Sequence, residues 1–263
     1  MMSAEITEGQ PDTRSPIPST RFVTATGVEV LAVTADRMRE IDRVATEETG
    51  PNIFQMMENA GRSLALLAIE LLGKKWQEAK ITVIAGSGGN GGGGICAARH
   101  LANRNVKVQL CLAEKDHLTG VSEWQRRVFH SSGGKEVEPS RLPTLRPDLI
   151  LDALIGYGLK SAPDAGATEL INWANSSGAP LLSLDIPSGL NATTGEAPGA
   201  CIAPKWTMTL ALPKTGLVPE KAGVLYLADI GIPAGAYRRL GLQYQDPFGS
   251  DFWVRIHRQE EVS

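Results

Sequence analysis

The amino-acid sequence predicts an α/β domain of Rossmann type, a mostly parallel sheet sandwiched between helices in three layers. Three observations carry this expectation. Short apolar, β-branched runs alternate with helical patterns along most of the chain. A glycine-rich segment, Gly86–Gly94, follows one such run and opens a helical stretch. Two further runs end in an acid, Asp152 and Asp185, each followed by a glycine-containing loop. In open α/β sheets ligands bind beyond the carboxyl ends of the strands, so these three segments point at one cleft.

The elements follow in order. Residues Met1 to about Ser19 are rich in Ser, Thr, Pro and acids and read as a disordered lead-in. Thr34 suits the N-cap of a helix over 35–49, which Gly50-Pro51 closes. A second helix is expected over 52–72. Its residues Ile53, Met56, Met57, Ala60, Leu64, Leu67 and Leu71 keep helical spacing, and Gly73 stops it. Ile81–Ala85 reads as a buried parallel strand. Beyond the glycines come a helix over 94–104, a strand over 106–112, a helix within 121–131 and a strand over 148–152. A helix over 168–175 and strands over 180–184, 207–212 and 224–228 complete the pattern. The domain is taken as 20–245. Residues 246–263, with Phe248, Phe252 and Trp253, read as an extension that docks on the domain or on a second subunit.

Composition narrows the function classes. The 263 residues are 42% hydrophobic and 21% charged, with a net charge of −3, so the basic excess of a nucleic-acid binder is missing. No apolar run reaches the roughly 18–20 residues that span a bilayer, and no basic segment precedes an apolar one at the N-terminus. A cytoplasmic location is the expectation. Cys96, Cys111 and Cys201 are far apart and odd in number, without zinc-ligand spacing; the first two read as core residues. His100, His117, His130 and His257 show no pairing or metal spacing and read as structural or surface groups. Neither a Gly-x-Ser-x-Gly elbow nor a Walker sequence is present.

The chemistry therefore gathers at the strand ends. Gly86, Gly88 and Gly91 give the spacing Gly-x-Gly-x-x-Gly. Glycines permit close backbone approach and positive φ, and the free N–H groups of the following helix end bind phosphate. Asn90, Asp152 and Ser188 offer the hard oxygen donors that suit a hard cation.

Six segments stand out together: Met57-Glu58-Asn59-Ala60-Gly61, the Gly86–Gly94 turn, Asp152-Ala153-Leu154-Ile155-Gly156-Tyr157-Gly158, Asp185-Ile186-Pro187-Ser188-Gly189-Leu190, Pro213-Lys214-Thr215-Gly216-Leu217 and Asp229-Ile230-Gly231-Ile232-Pro233. In this order they resemble the YjeF N-terminal domain family, whose characterised enzymes are NAD(P)H-hydrate epimerases. The resemblance implies a Rossmann-like α/β/α sandwich, often a homodimer, that interconverts the R and S forms of hydrated NADH or NADPH. A separate dehydratase would consume the S form; the chain runs only a short way past Pro233, so that partner is expected to be another protein. By position, the substrate would touch Gly89, Asn90, Gly91, Gly92, Gly93, the loop Gly156, Tyr157, Gly158, Leu159, Lys160, Ser161 and Ala162, and Asp185. One potassium ion per subunit would sit on Asn90, Asp152 and Ser188, with Asp152 as the acid/base carboxylate. The family's first turn Asn is Gly89 here, its turn Asp is Gly93, and its frequent Thr is Tyr157.

A non-catalytic nucleotide-binding or scaffold module on the same fold is the alternative expectation, and Gly89 and Gly93 favour it. A dinucleotide-dependent dehydrogenase would need an acid for the ribose, for which Glu114 is a candidate, but no substrate domain or proton-relay histidine follows.

Overall fold

The computed structural model describes residues 20–259 apart from 115 and 119. The lead-in expected at 1–19 lies outside the described residues, as do the last four residues of the expected extension. The described chain opens with a hairpin, β1 (Arg21–Thr24) and β2 (Glu29–Leu31). Helix α1 (Ala35–Val44) follows, and Thr34 caps it as expected: its Oγ1 accepts from the Arg37 N–H at 3.2 Å. A π-helical turn, Ala45–Thr49, continues to Gly50, whose φ of 118° glycine adopts without a side-chain penalty. Helix α2 (Ile53–Leu72) starts with a capping box, Asn52 Oδ1 accepting from Gln55 N and Gln55 Oε1 accepting from Asn52 N.

The alternating part is β3 (Lys80–Ala85), α3 (Gly89–Ala102), β4 (Lys107–Leu112), α4 (Gly120–Ser131), β5 (Lys135–Glu136), β6 (Leu149–Ala153), α5 (Ala165–Ser176), β7 (Leu181–Leu184), β8 (Trp206–Leu210), α6 (Pro219–Ala222) and β9 (Val224–Ala228). Helix α7 (Ala234–Arg239) and strand β10 (Trp253–Arg258) close the chain. All strands join one sheet in the order β2-β1-β10-β9-β8-β7-β6-β3-β4-β5. The pairings from β9 through β5 are parallel; β10, β1 and β2 add on antiparallel. Trp253–Arg258, part of the aromatic extension in the sequence reading, is thus a strand held between β1 and β9.

Alternation along the strands builds the layers. Ile81, Val83 and Ala85 of β3 and Leu149 and Leu151 of β6 enter the core beneath α2, α3 and α4. Ile84 and Ile150 point the other way, into the core beneath α5. A third core joins α1 and α7 to the antiparallel end of the sheet through Phe22, Val30, Leu225, Leu227 and Ile256. Burial on both faces is why these strands read as continuous apolar runs.

The start of α3 differs from the sequence expectation. The helix begins at Gly89, not Gly94, so most of the glycine-rich segment is helical. None of Gly86–Gly94 has positive φ. Their small size is used for packing instead: a Cβ on Gly91 would lie 1.8 Å from Gly86 O, and one on Gly94 would lie 2.4 Å from Ala153 Cβ. Close approach to β3 and β6 outweighs the low helix propensity of glycine.

The topology also fixes where a ligand can enter. From β3 the chain winds outward through β4 to β5; from β6 it winds the other way through β7 and β8. β3 and β6 are neighbours, so the crevice beyond their carboxyl ends is a topological switch point.

Candidate active site

A cavity of about 470 Å³ opens at that crevice. Its floor is Gly88, Gly89, Asn90 and Gly93 at the start of α3, with Leu154, Ile155, Gly156, Tyr157 and Gly158 beyond β6 and Asp185 beyond β7. Its walls are Met38, Arg39 and Asp42 of α1, Ile53, Met56, Met57 and Ala60 of α2, and Leu210, Lys214 and Ile230. An apolar lining with a few convergent polar groups is the usual form of a small-molecule site. Gly88 caps α3 without a side-chain hydrogen bond, and the first intrahelical bond there is Gly92 N to Gly88 O at 3.0 Å. The N–H groups just before it, with the helix dipole, make the floor attractive to an anion.

The turn after β6 ties the polar residues together, one residue at a time. Leu154 N donates to Asp152 Oδ1 at 3.3 Å, and Ile155 N to Ser188 Oγ at 2.9 Å. Gly156 runs so close that a Cβ there would lie 3.2 Å from both Asn90 Cγ and Asp185 Oδ2. Tyr157 N then donates to Asp185 Oδ2 at 3.0 Å. Asn90, Asp152, Asp185 and Ser188 are therefore gathered around four consecutive residues, as the sequence expects.

The two strand-end aspartates sit differently. Asp152 lies inside β6, opposite Ser183 of β7, with none of its surface exposed. Its Oδ2 accepts from Ser183 Oγ at 2.7 Å and from Ser188 N at 3.0 Å, and its Oδ1 accepts from Ser188 Oγ at 2.5 Å. Burial pushes its carboxyl above the ordinary range, against the pull of these bonds. Asp152, which the sequence offers as the acid/base carboxylate, is not among the residues that line the cavity. Asp185 does line it. It stands one residue past β7 in a tight turn, with φ of 67° and Ile186 N bonded to Leu184 O at 2.9 Å. Such backbone costs about 1–3 kcal/mol and concentrates at functional sites.

Lys214, which the sequence offers only as part of the Pro213–Leu217 motif and without a role, is the partner of Asp185. It is 1% exposed, and its Nζ ion-pairs with Asp185 Oδ1 and donates to Leu210 O at 2.9 Å. The same Nζ stands 5.7 Å from the centre of the Tyr157 ring. Strand β8 ends as β7 does, with Ala211 at φ 61° and Leu212 N bonded to Leu210 O at 2.7 Å. Two matching turns thus deliver the two halves of the ion pair. Val33 bridges to Lys214 in parallel and lays the start of α1 beside the site.

The remaining expected contacts divide. Gly89, Asn90, Gly93, Gly156, Tyr157, Gly158 and Asp185 line the cavity. Gly91 and Gly92 are buried beneath it, Gly92 against Met57. Leu159 is half-buried, Lys160, Ser161 and Ala162 are exposed, and none of the four lines it. Gly89 has open space where a side chain would go, and Gly93 faces Leu184.

Asn90 bears on whether a cation fits here. Its Oδ1 and Nδ2 are both buried without a hydrogen-bond partner, which costs free energy unless a ligand supplies one. The bonds to Asp152 come from neutral donors, so a fully buried carboxylate lacks a charge partner there. Both observations fit a cation held by Asn90, Asp152 and Ser188.

One group lies away from the cavity. Cys96 and His100, one turn apart on α3, meet Glu58 of α2, with His100 Nε2 2.8 Å from Glu58 Oε1. Arg99 Nη2 sits among the three, 2.7 Å from Glu58 Oε1 and 3.3 Å from Cys96 Sγ. A guanidinium therefore already supplies the positive charge. Burial, chiefly, pushes the Cys96 thiol up to about 12 and His100 below its ordinary value.

Comparison with known proteins agrees with the fold. The chain matches the family of YjeF-related protein N-termini over residues 53–216. It is 47% identical over 242 residues to a protein of Dehalogenimonas lykanthroporepellens named NAD(P)H-hydrate epimerase, spanning 92% of this chain and 99% of that one. It is 36% identical over 218 residues to a bifunctional NAD(P)H-hydrate repair enzyme of Moorella thermoacetica, spanning 76% of this chain and 40% of that one. A yeast protein of known structure, ynu0 (YNL200c), superposes with a TM-score of 0.74 at 21% identity over 85% of this chain and 99% of that one, a likeness of fold. On the matched residues, the shared length and the fold, this chain belongs to the family of YjeF-related N-terminal domains.

Proposed function

We propose that this chain is an epimerase that interconverts the R and S forms of hydrated NADH and NADPH. The observation that carries the reading is the cavity-facing Asp185–Lys214 pair, beside the free N–H groups of α3 and the buried, unpartnered Asn90. Relatives of matching length bear this activity in their names. The substrate's ring carries a hydroxyl on a carbon bonded to nitrogen. Protonation of that hydroxyl breaks the C–O bond and releases water, while the nitrogen lone pair forms a C=N bond. Water adds to the other face, a proton leaves it, and the isomer results with no net oxidation or reduction. Asp185 is the carboxylate placed to move a proton at that carbon. Lys214 fixes its orientation, and the start of α3 holds the diphosphate.

A potassium ion on Asn90, Asp152 and Ser188 would set positive charge beside the buried carboxylate and brace the turn that positions Asp185. Potassium is then expected to raise the melting temperature above that in an equal concentration of lithium, because binding to the folded state stabilises it. Equal melting temperatures in the two salts would remove the ion from the account.

With this reading go a homodimer, a cytoplasmic location and a dehydratase that consumes the S product. Among the described residues no helix is long and apolar enough to cross a membrane. The test is a coupled repair reaction on mixed R and S hydrates. A dehydratase specific for S is expected to stop once the S share is used, apart from slow spontaneous epimerisation. Adding this protein is expected to carry the reaction promptly to completion; persistence of the R share at its spontaneous rate would refute the reading.

A further inference from the structure

Epimerisation needs proton transfer on both faces of one carbon, because the hydroxyl leaves from one side and water returns on the other. The Asp185–Lys214 pair provides a carboxylate on one side. A second carboxyl lines the same cavity, on an element whose part in the chemistry no sequence motif announces. It is Asp42, on α1.

Tyr157 connects the two. Its backbone N–H donates to Asp185 Oδ2 at 3.0 Å, and at the far end of its side chain the hydroxyl donates to Asp42 Oδ2 at 2.5 Å. The carboxyls therefore lie at opposite ends of one tyrosine, and all three residues line the cavity. The space beside the ring has a carboxyl at each end, which is the arrangement a two-face reaction requires. We propose that Asp42 is a second catalytic carboxyl, the proton donor and acceptor on the face opposite Asp185, with Tyr157 as the residue that positions it. This rests on the epimerase reading above.

The charges around Asp42 support the division of labour. From other elements it faces Tyr157, Lys214 and Asp185; Arg39 is on its own helix, and Tyr237 of α7 senses its charge. Burial raises its pKa above the ordinary aspartate value, the Tyr157 hydrogen bond and Lys214 oppose that rise, and Asp185 adds to it. One carboxyl protonated and one ionised is the form that can protonate the departing hydroxyl on one face and deprotonate the entering water on the other. After one turnover the proton has passed from Asp42 to the released water and from the entering water to Asp185. The return direction, or exchange with solvent, resets the pair.

The test uses the whole protein in potassium buffer, with wild type, Asp42→Asn and Tyr157→Phe assayed on one pure epimer across pH. Asn can still accept from the Tyr157 hydroxyl, so Asp42→Asn keeps the contact and removes the proton. Its kcat is expected to fall roughly 10²–10⁴-fold with KM little changed and the melting temperature near wild type. A donor is active in its protonated form, so activity falls as pH rises through its pKa. Tyr157→Phe removes a bond that lowers that pKa, so this limb is expected to move to higher pH. If Asp42→Asn proves unstable, the Tyr157→Phe shift decides: a limb that stays in place overturns the proposal. Near-normal turnover by folded Asp42→Asn, with an active wild type, also overturns it and leaves the epimerase reading intact. An inactive wild type overturns both.

Discussion

Asp185→Asn is expected to lower epimerisation roughly 10²–10⁴-fold, the range typical for loss of a positioned acid or base. Asn is nearly the same size and tolerates the positive φ of this turn, so the backbone should survive. The stability cost lies elsewhere. Lys214, 1% exposed, would lose its counter-charge, and breaking a buried pair in this way costs about 3–5 kcal/mol. The double variant Asp185→Asn with Lys214→Met should recover much of that stability, because no unpaired charge remains, and should still be inactive. Melting temperature and turnover measured together separate the two effects. Restored activity in the double variant would show that Asp185 serves only to hold the fold.

Gly91→Ala is expected to be among the most damaging single methyls in the described residues. The added Cβ would lie 1.8 Å from Gly86 O, 2.6 Å from Gly86 C and 3.0 Å from Gly86 N. All three are backbone atoms of the turn leaving β3, so no side chain can rotate away. A loss above about 4 kcal/mol, or failure to fold, is the expected outcome in urea unfolding. Gly89→Ala is the matched control. It adds the same atom two residues earlier, into open space at the start of the helix. There the entropy released from glycine should make it neutral or stabilising by up to about 1 kcal/mol. Similar losses for both would mean that α3 does not press against β3 as described.

That contrast shows what the sequence could and could not reveal. Strands such as Leu149–Ala153 are legible because burial on both faces makes them apolar throughout. The cleft is legible because Asp152, Asp185 and the glycines all sit where a strand pattern stops. The glycines suggest a loop by propensity, and only the proximity of β3, β6 and α2 makes them helical. Asp152 and Asp185 look alike in sequence, each an acid ending an apolar run. Register separates them: Asp152 stays in the ladder opposite Ser183, while Asp185 falls one residue past it, into a turn that faces the cavity. Asp42 carries no local signal, and the motif that holds Lys214 does not reveal its partner, since their meeting with Tyr157 and Asp185 depends on β8 and on the Val33–Lys214 bridge. The hairpin β1–β2 and strand β10 were hidden because they are short and mixed in polarity, and because β1 and β10 pair across the length of the chain.

The most direct measurement starts from a pure R-form hydrate of NADH in potassium buffer and follows the S form by chromatography, with the protein, without it, and with Asp185→Asn. The expected result is conversion far above the spontaneous rate with wild type and near the spontaneous rate with the variant. No acceleration by folded wild-type protein would contradict the account and favour a nucleotide-binding module built on the same fold.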